Sequence, residues 1–320
     1  MRAVRSAVAS VLALFLICTM VCAIAEEPST SPEPTASPVP ADYVYPPLPV
    51  DHSPGPPVNK ENYSQDGLSY NDPTIQVQIH EDRAFETPIL YAHIRINDPT
   101  QLRTAASGSF NSQATQLGAN IARRYNAVVA INGDYFVYDS RSYAVRQGVQ
   151  YRNRPTGEDV LIIDDQGDFH ALFAPEKAQD IVAYVEEMEA EGRSVINAFT
   201  FGPILVHNGK MQEVSSKRYF NVSPGINAQR VALAQLGPLE YLIISTQGPE
   251  DKNSKGLTIP EMAAFVEEVG YRFSDKGCLT AYNLDGGSTN TLYFNGGKIN
   301  SPGGKSRHIA DIIYFATLVR

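Results

Sequence analysis

The residues with the strongest claim to chemistry lie in one ten-residue run, Asn283-Leu-Asp-Gly-Gly-Ser-Thr-Asn-Thr-Leu. Gly286 and Gly287 admit positive φ and let backbone N–H groups approach a ligand closely. Asp285 then projects from a tight turn, and Ser288, Thr289, Asn290 and Thr291 add hydroxyls and an amide. Together these groups form a small polar site with one titratable carboxylate. A plain Asp-Gly hairpin uses the same spacing, so the residues alone leave both readings open. A second carboxylate, Asp134, follows the apolar run 127–131 by way of Asn132 and Gly133. Either a buried strand delivers it to a site, or it caps its own loop. Familiar catalytic motifs are missing. The chain has no Gly-x-Ser-x-Gly elbow and no His-Glu-x-x-His, and its six His lack metal-ligand spacing. The Gly-Gly-Lys-Ser run at 303–306 imitates a phosphate loop, but the first glycine of that motif would fall at Ile299.

The flanking pattern says what must hold these residues. Ile75, Val77 and Ile79 alternate with polar positions, as do Leu90, Ala92, Ile94 and Ile96, which predicts two half-buried strands. The run 127–131 is a short buried strand, and further strands are expected at 159–164, 203–207, 240–246, 279–283, 291–294 and 312–315. Ala114, Leu117, Ile121 and Tyr125 fall at helical spacing and predict a helix over 112–125. A second helix is expected over 175–191. A third, over 258–269, has a capping box at Thr258 and Glu261, Pro260 in its first turn and Gly270 as its stop. Strands outnumber helices without strict βαβ alternation. The expected class is α+β, a mostly antiparallel or mixed β-sheet with a few packed helices.

The ends and the bulk numbers bound the setting. Arg2 and Arg5 precede the apolar run 7–25, and Ala23-Ile24-Ala25 reads as a cleavage site, so residues 1–25 are a signal peptide or a membrane anchor. Residues 26–60 are rich in Pro, Ser and Thr and read as a linker, leaving 61–320 as the domain. The expected location is therefore secreted or extracytoplasmic, associated with membrane or wall if the anchor is kept. A formal charge of -9 with no basic run excludes a nucleic-acid partner. Cys18 and Cys22 lie in the leader, so Cys278 is the one thiol of the expected mature chain. No intramolecular disulfide can form there, and Cys278 reads as a buried, inert residue.

Five segments in order carry a resemblance. They are Ala130–Phe136 (AINGDYF), Phe201–Lys210 (FGPILVHNGK), Asn227–Gln235 (NAQRVALAQ), the helix 254–270, and NLDGGSTNTL followed by NGGKINSPGG and Arg307. Over 126–315 the chain resembles the phosphodiester glycosidase family. The resemblance implies an exported hydrolase that cleaves a sugar C1–oxygen bond to phosphate in a glycan or cell-surface polymer. A phosphomonoester is a weakly basic leaving group, so one carboxylate could suffice where ordinary glycosidases flank the bond with two. Asp285 is that carboxylate by family position, and Arg230 offers a bidentate fork for phosphate. Asn132 and Asp134 join the catalytic set. Asn283, Gly286, Gly287, Ser288, Thr289, Thr291, Gly202 and Arg307 form the substrate-binding set. Arg307 is a second phosphate contact or a partner of Asp311 four residues on. Asn132 and Asn283 reach sugar hydroxyls, orient Asp285, or stabilise their own turns.

Departures bear on substrate identity. Gln229 and Val231 stand where the family has Pro and Thr, Ala234 replaces a Gly, and Ser288 replaces the third Gly of its turn. The run 245–251 lacks an Arg often found there. No cofactor is required by this reasoning, although clustered Asp and Asn oxygens leave room for Ca²⁺ or Mg²⁺. The expected partner is a sugar-phosphodiester or phosphoglycan substrate. Two other functions fit the same residues: a surface protein that binds phosphoglycan without cleaving it, and an exopolysaccharide or wall-polymer processing enzyme that cleaves a different bond.

Overall fold

The computed structural model describes residues 43–134, 136–138, 141–154, 157–175, 177–214, 222–300 and 306–320. The expected leader and about half of the Pro-rich segment, residues 1–42 together, lie outside them. Among the described residues no helix is long and apolar enough to cross a membrane.

Every strand pairing among the described residues is antiparallel, which selects between the two sheet types the sequence allowed. An eight-stranded sheet runs Ser69–Asn71, Ile75–Ala84, Thr87–Ile96, Glu240–Thr246, Val231–Gly237, Thr280–Leu284, Ile204–His207, Lys210–Met211 from edge to edge. A five-stranded sheet runs Gly297–Lys298, Leu292–Phe294, Val129–Asn132, Asp311–Phe315, Leu102–Ala106. A second five-stranded sheet runs Val149–Asn153, Tyr143–Arg146, Val195–Thr200, Val160–Asp164, Phe169–Leu172. The alternating residues Ile75, Val77 and Ile79 face the main core, as period-two side chains on a half-buried strand must. The central strands Val231–Gly237 and Glu240–Thr246 are buried almost throughout, so they carry apolar runs in place of alternation.

Two helices differ from the sequence expectation in an informative way. The first spans only Gly118–Arg124. Gln116 instead exchanges backbone hydrogen bonds with Ile309 (3.0 and 2.8 Å), which holds the preceding residues in a bridge. The third spans Ile259–Phe273 and runs straight through Gly270. Its capping box is present: Glu261 N donates to Thr258 Oγ1 (3.3 Å) and Thr258 N to Glu261 Oε2 (2.8 Å). Gly270 is required for close approach, since a Cβ there would lie 2.5 Å from Cys278 N. The helix can therefore rest on the turn entering strand Thr280–Leu284. The helix expected over 175–191 is Ala178–Ala190. Cys278 is buried, and desolvation pushes its thiol up to about 12, as an inert core cysteine requires.

The compact unit begins at Val44. Leu48 is buried, and the Pro49 and Asp51 carbonyls accept from the buried Arg103 guanidinium at 2.9 and 3.0 Å. The chain between 43 and 58 has no helix or strand, yet it covers the small sheet and satisfies a charge there.

Candidate active site

Two sheets bring the candidate residues together. Strand Thr280–Leu284 pairs with Val231–Gly237 so that Leu284 faces Val231. Continuing that antiparallel register by one residue sets Asp285 across from Arg230. The chain then bends at Gly286, where a Cβ would sit 2.3 Å from the Gln229 carbonyl oxygen. Gly287 N donates to that same oxygen at 3.1 Å and has φ +62. The diglycine is thus needed twice, for close approach and for left-handed backbone. A short 3-10 turn, Gly287–Thr289, closes the loop.

The five-stranded sheet that contains Val129–Asn132 supplies the clamp. Asn132 ends strand Val129–Asn132, is buried, and donates through Nδ2 to the Asp285 carbonyl at 2.7 Å. Its Oδ1 accepts from Thr291 N at 3.1 Å. One side chain therefore holds both ends of the loop. Asn290 braces it from beneath, donating to the Thr246 carbonyl at 3.0 Å and accepting from Ser245 Oγ at 2.8 Å. Asn283 is buried and donates to the Gly202 carbonyl at 2.7 Å, tying the strand to the turn where Gly202 has φ +75. The Thr289 and Thr291 hydroxyls donate to the carbonyls of Gly286 (2.5 Å) and Thr289 (3.0 Å). The buried amides and threonines thus shape the loop, and Ser288 is exposed at its tip.

Asp285 sits deep among protein atoms while its surface stays partly open. Burial pushes its pKa up to about 6, with Asp134 adding to the rise. The Thr289 hydroxyl and the Arg307 cation oppose it. Arg307 is exposed, stacks over the Tyr138 ring at 5.0 Å, and donates its backbone N–H to Ser288 O at 2.9 Å. Arg307, and not Arg230, is therefore the cation acting on the Asp285 carboxyl.

Arg230 is turned the other way. Its Nε donates to the Leu257 carbonyl at 3.0 Å and Nη2 to those of Ser223 and Ile226 at 3.3 and 2.6 Å. No carboxylate pairs with it among the described residues, and desolvation lowers its pKa to about 10. Its Nη1 protons have no partner among those residues. A buried cation with donors to spare suits an anionic ligand.

Asp134 lies behind the loop in an ion cluster that the sequence did not announce. Arg146, fully buried, holds Asp134 Oδ1 at 2.8 Å through Nη2 and Asp311 Oδ2 at 3.0 Å through Nε. Asp134 Oδ2 accepts from Thr200 N at 3.1 Å. The guanidinium also lies 4.2 Å over the Phe199 ring. Burial and the neighbouring Asp134 charge hold Asp311 well above the usual carboxylate range. Asp311 thus pairs with Arg146. The signal for this cluster was a charged residue at the end of each of two apolar strands, Arg146 closing Tyr143–Arg146 and Asp311 opening Asp311–Phe315. Among the described residues no group of three or more His, Cys, Asp or Glu is placed to hold a metal ion.

A family model described as phosphodiester glycosidase matches residues 125–316. The chain belongs to this family. The matched span contains Asn132, Asp134, Arg146, Arg230, Asp285, Arg307 and Asp311, the whole of the site just described. The catalytic domain of zebrafish N-acetylglucosamine-1-phosphodiester alpha-N-acetylglucosaminidase, solved in a form auto-inhibited by its pro-peptide, shares the fold. Its TM-score is 0.58 at 16% identity, covering 77% of this chain and 85% of that one. A hypothetical protein from Synechocystis aligns with TM-score 0.54 and 14% identity over 75% of this chain and 62% of its own. In sequence, the chain is 24% identical over 210 residues to the SPbeta prophage-derived uncharacterized protein YomE of Bacillus subtilis (strain 168). That match covers 64% of this chain and 29% of YomE. The chain thus spans under a third of that relative's length.

Proposed function

We propose that this chain is an exported hydrolase that cleaves the glycosidic bond of a sugar 1-phosphodiester within a glycan or cell-surface polymer. The observation that carries the reading is Asp285, a partly open carboxylate with a pKa near 6 on which the Arg307 cation acts, one step along the strand register from a buried Arg230 that no carboxylate pairs with among the described residues. Membership of the phosphodiester glycosidase family supports the reaction class. The C1–oxygen bond breaks and the phosphomonoester leaves with the oxygen and the bonding electrons. Water supplies hydroxide to C1, and its proton passes to the Asp285 carboxylate and on to solvent. Asp285 also faces the positive charge that develops at C1. Arg230 and Arg307 bind the phosphate and stabilise the charge it gains. Asn132 is a positioning residue, because it holds the Asp285 carbonyl and the Thr291 N–H at the two ends of the turn. Asp134 pairs with Arg146 and raises the proton affinity of Asp285 through space.

The test is hydrolysis of sugar 1-phosphodiesters by the full chain in heavy-oxygen water, with and without chelator. The expected result is label in the released sugar and none in phosphate. Label in phosphate means cleavage of a phosphate–oxygen bond. Binding without release of reducing sugar means a phosphoglycan-binding protein. Either result overturns the reading.

A further inference from the structure

At the far end of the strand that carries Asn132 lies a recess of about 400 Å³, within the range of small-ligand sites. Its lining includes Lys60, Tyr63, Arg123, Asn126, Tyr293 and Asn295, and none of its lining residues is acidic. Strand Leu292–Phe294 pairs with Val129–Asn132 so that Phe294 meets Val129 and Leu292 meets Ile131. Asn126 and Asn295 therefore flank the end of these strands opposite the Asp285 turn. At about 3.3 Å per residue the two ends stand on the order of 15–20 Å apart.

The lining has the chemistry of a charged sugar site. Tyr63 packs edge-on against Phe294 and Tyr70, at 5.1 and 4.9 Å, which fixes its ring. Tyr293 is buried, 4% exposed, and its hydroxyl has no hydrogen-bond partner among the described residues. That phenol lies within electrostatic reach of both Arg123 and Tyr63, so it faces the recess and not the core. The oxygen is not sealed from solvent, so a phenol that lines the recess without a protein partner is open to a ligand hydroxyl. Arg123 donates to Asn120 Oδ1 at 3.1 Å and Gly296 O at 3.3 Å, and neither Arg123 nor Lys60 pairs with a carboxylate among the described residues. In a chain with formal charge -9, a recess with two unpaired cations and no acid is a local exception that selects an anion. Lys60, Tyr63 and Arg123 also lie outside the segment 125–316 matched by the family model, so this wall is a feature of the chain and not of the matched span.

We propose that this recess is a second saccharide site, taking a phosphate-bearing sugar unit of the same polymer whose cleavage is assigned to the Asp285 turn. Arg123 and Lys60 take the phosphate, Tyr63 gives the sugar an aromatic face, and the Tyr293 hydroxyl with the two Asn amides takes sugar hydroxyls. The choice of a sugar phosphate over another anion rests on the function proposed above, whereas the site itself does not. A second grip on a polymer raises the effective concentration of bonds at the first.

The experiment titrates a hexose 1-phosphate into full-length Asp285→Asn, which isolates binding from turnover, by calorimetry. Two classes of site are expected. Lys60→Gln with Arg123→Gln, added to that background, should weaken one class by roughly tenfold or more while sparing the other. Tyr293→Phe should weaken the same class by several-fold. In otherwise unaltered protein, the Lys60→Gln/Arg123→Gln pair should raise KM for a polymeric phosphodiester and leave a small soluble one unaffected. Identical isotherms with and without the pair would overturn the site. Inorganic phosphate or a tetraglutamate peptide binding there as tightly as the sugar phosphate would overturn the saccharide assignment. If hydrolysis fails altogether, the calorimetric arm still reports on the recess.

Discussion

Replacing Asp285 with Asn separates what the carboxylate does for turnover from what it costs the fold. Its pKa in the folded chain is about 6 against an ordinary 3.8, with burial as the main cause. Below pH 3.8 the carboxyl is protonated both folded and unfolded and costs nothing. Between there and pH 6 only the unfolded chain ionises freely, so folded stability falls as pH rises. Above pH 6 the penalty is complete, at about 3 kcal/mol. Asn has the shape without the charge, so the variant should be more stable than the parent at pH 7, by up to that amount. The gain should fade as pH falls toward 4. Over the same change, hydrolysis of a sugar 1-phosphodiester should drop by roughly two or more orders of magnitude. The parent enzyme carries the matching signature. About nine-tenths of the carboxyl is ionised at pH 7 and about one-tenth at pH 5, so activity that needs the base should fall about tenfold across that interval. Urea unfolding at pH 4 and 7 and initial rates between pH 4 and 8 measure both halves. Turnover within tenfold of the parent would refute the catalytic assignment. A variant less stable than the parent at pH 7 would refute the electrostatic one.

Substitutions at four other positions probe the surroundings. Arg307→Ala removes the cation that opposes the rise at Asp285, so the acid limb of the pH–rate profile should move to higher pH while KM increases. Arg307→Lys should restore part of both. Arg230→Lys keeps the charge but loses the fork, and should mainly raise KM with kcat little changed, as read from initial rates. Gly286→Ala drives a methyl into the Gln229 carbonyl, only 2.3 Å from the ideal Cβ, and must displace the turn. A shift near 1 Å should lower kcat/KM about 100-fold or more in the same assay. Arg146→Met strands Asp134 and Asp311 as buried carboxylates, and denaturant unfolding should show a loss of about 3–5 kcal/mol.

Much of this protein could be read along the chain. Short-range pattern carries the strands, because a half-buried strand must alternate and a central one must not. That is why the strand expected over 240–246 matches residue for residue, whereas the one expected over 127–131 overlaps Val129–Asn132 only from 129 to 131. The capping box at Thr258 is equally local. The Asp-Gly-Gly run marked a bend with a carboxylate on it, since only glycine tolerates such backbone. Tertiary structure decided what distant residues did to these elements. Helix Gly118–Arg124 is short because Ile309 claims Gln116, and Gly270 is a contact and not a stop because Cys278 presses on it. The same holds for the electrostatics. The sequence displays Arg146, Asp134 and Asp311 as three unrelated charges up to 177 positions apart, and only sheet pairing makes them one cluster. Local order is set by each residue's own backbone and its period, whereas the proton affinity of Asp285 depends on burial and on charges brought in by other strands.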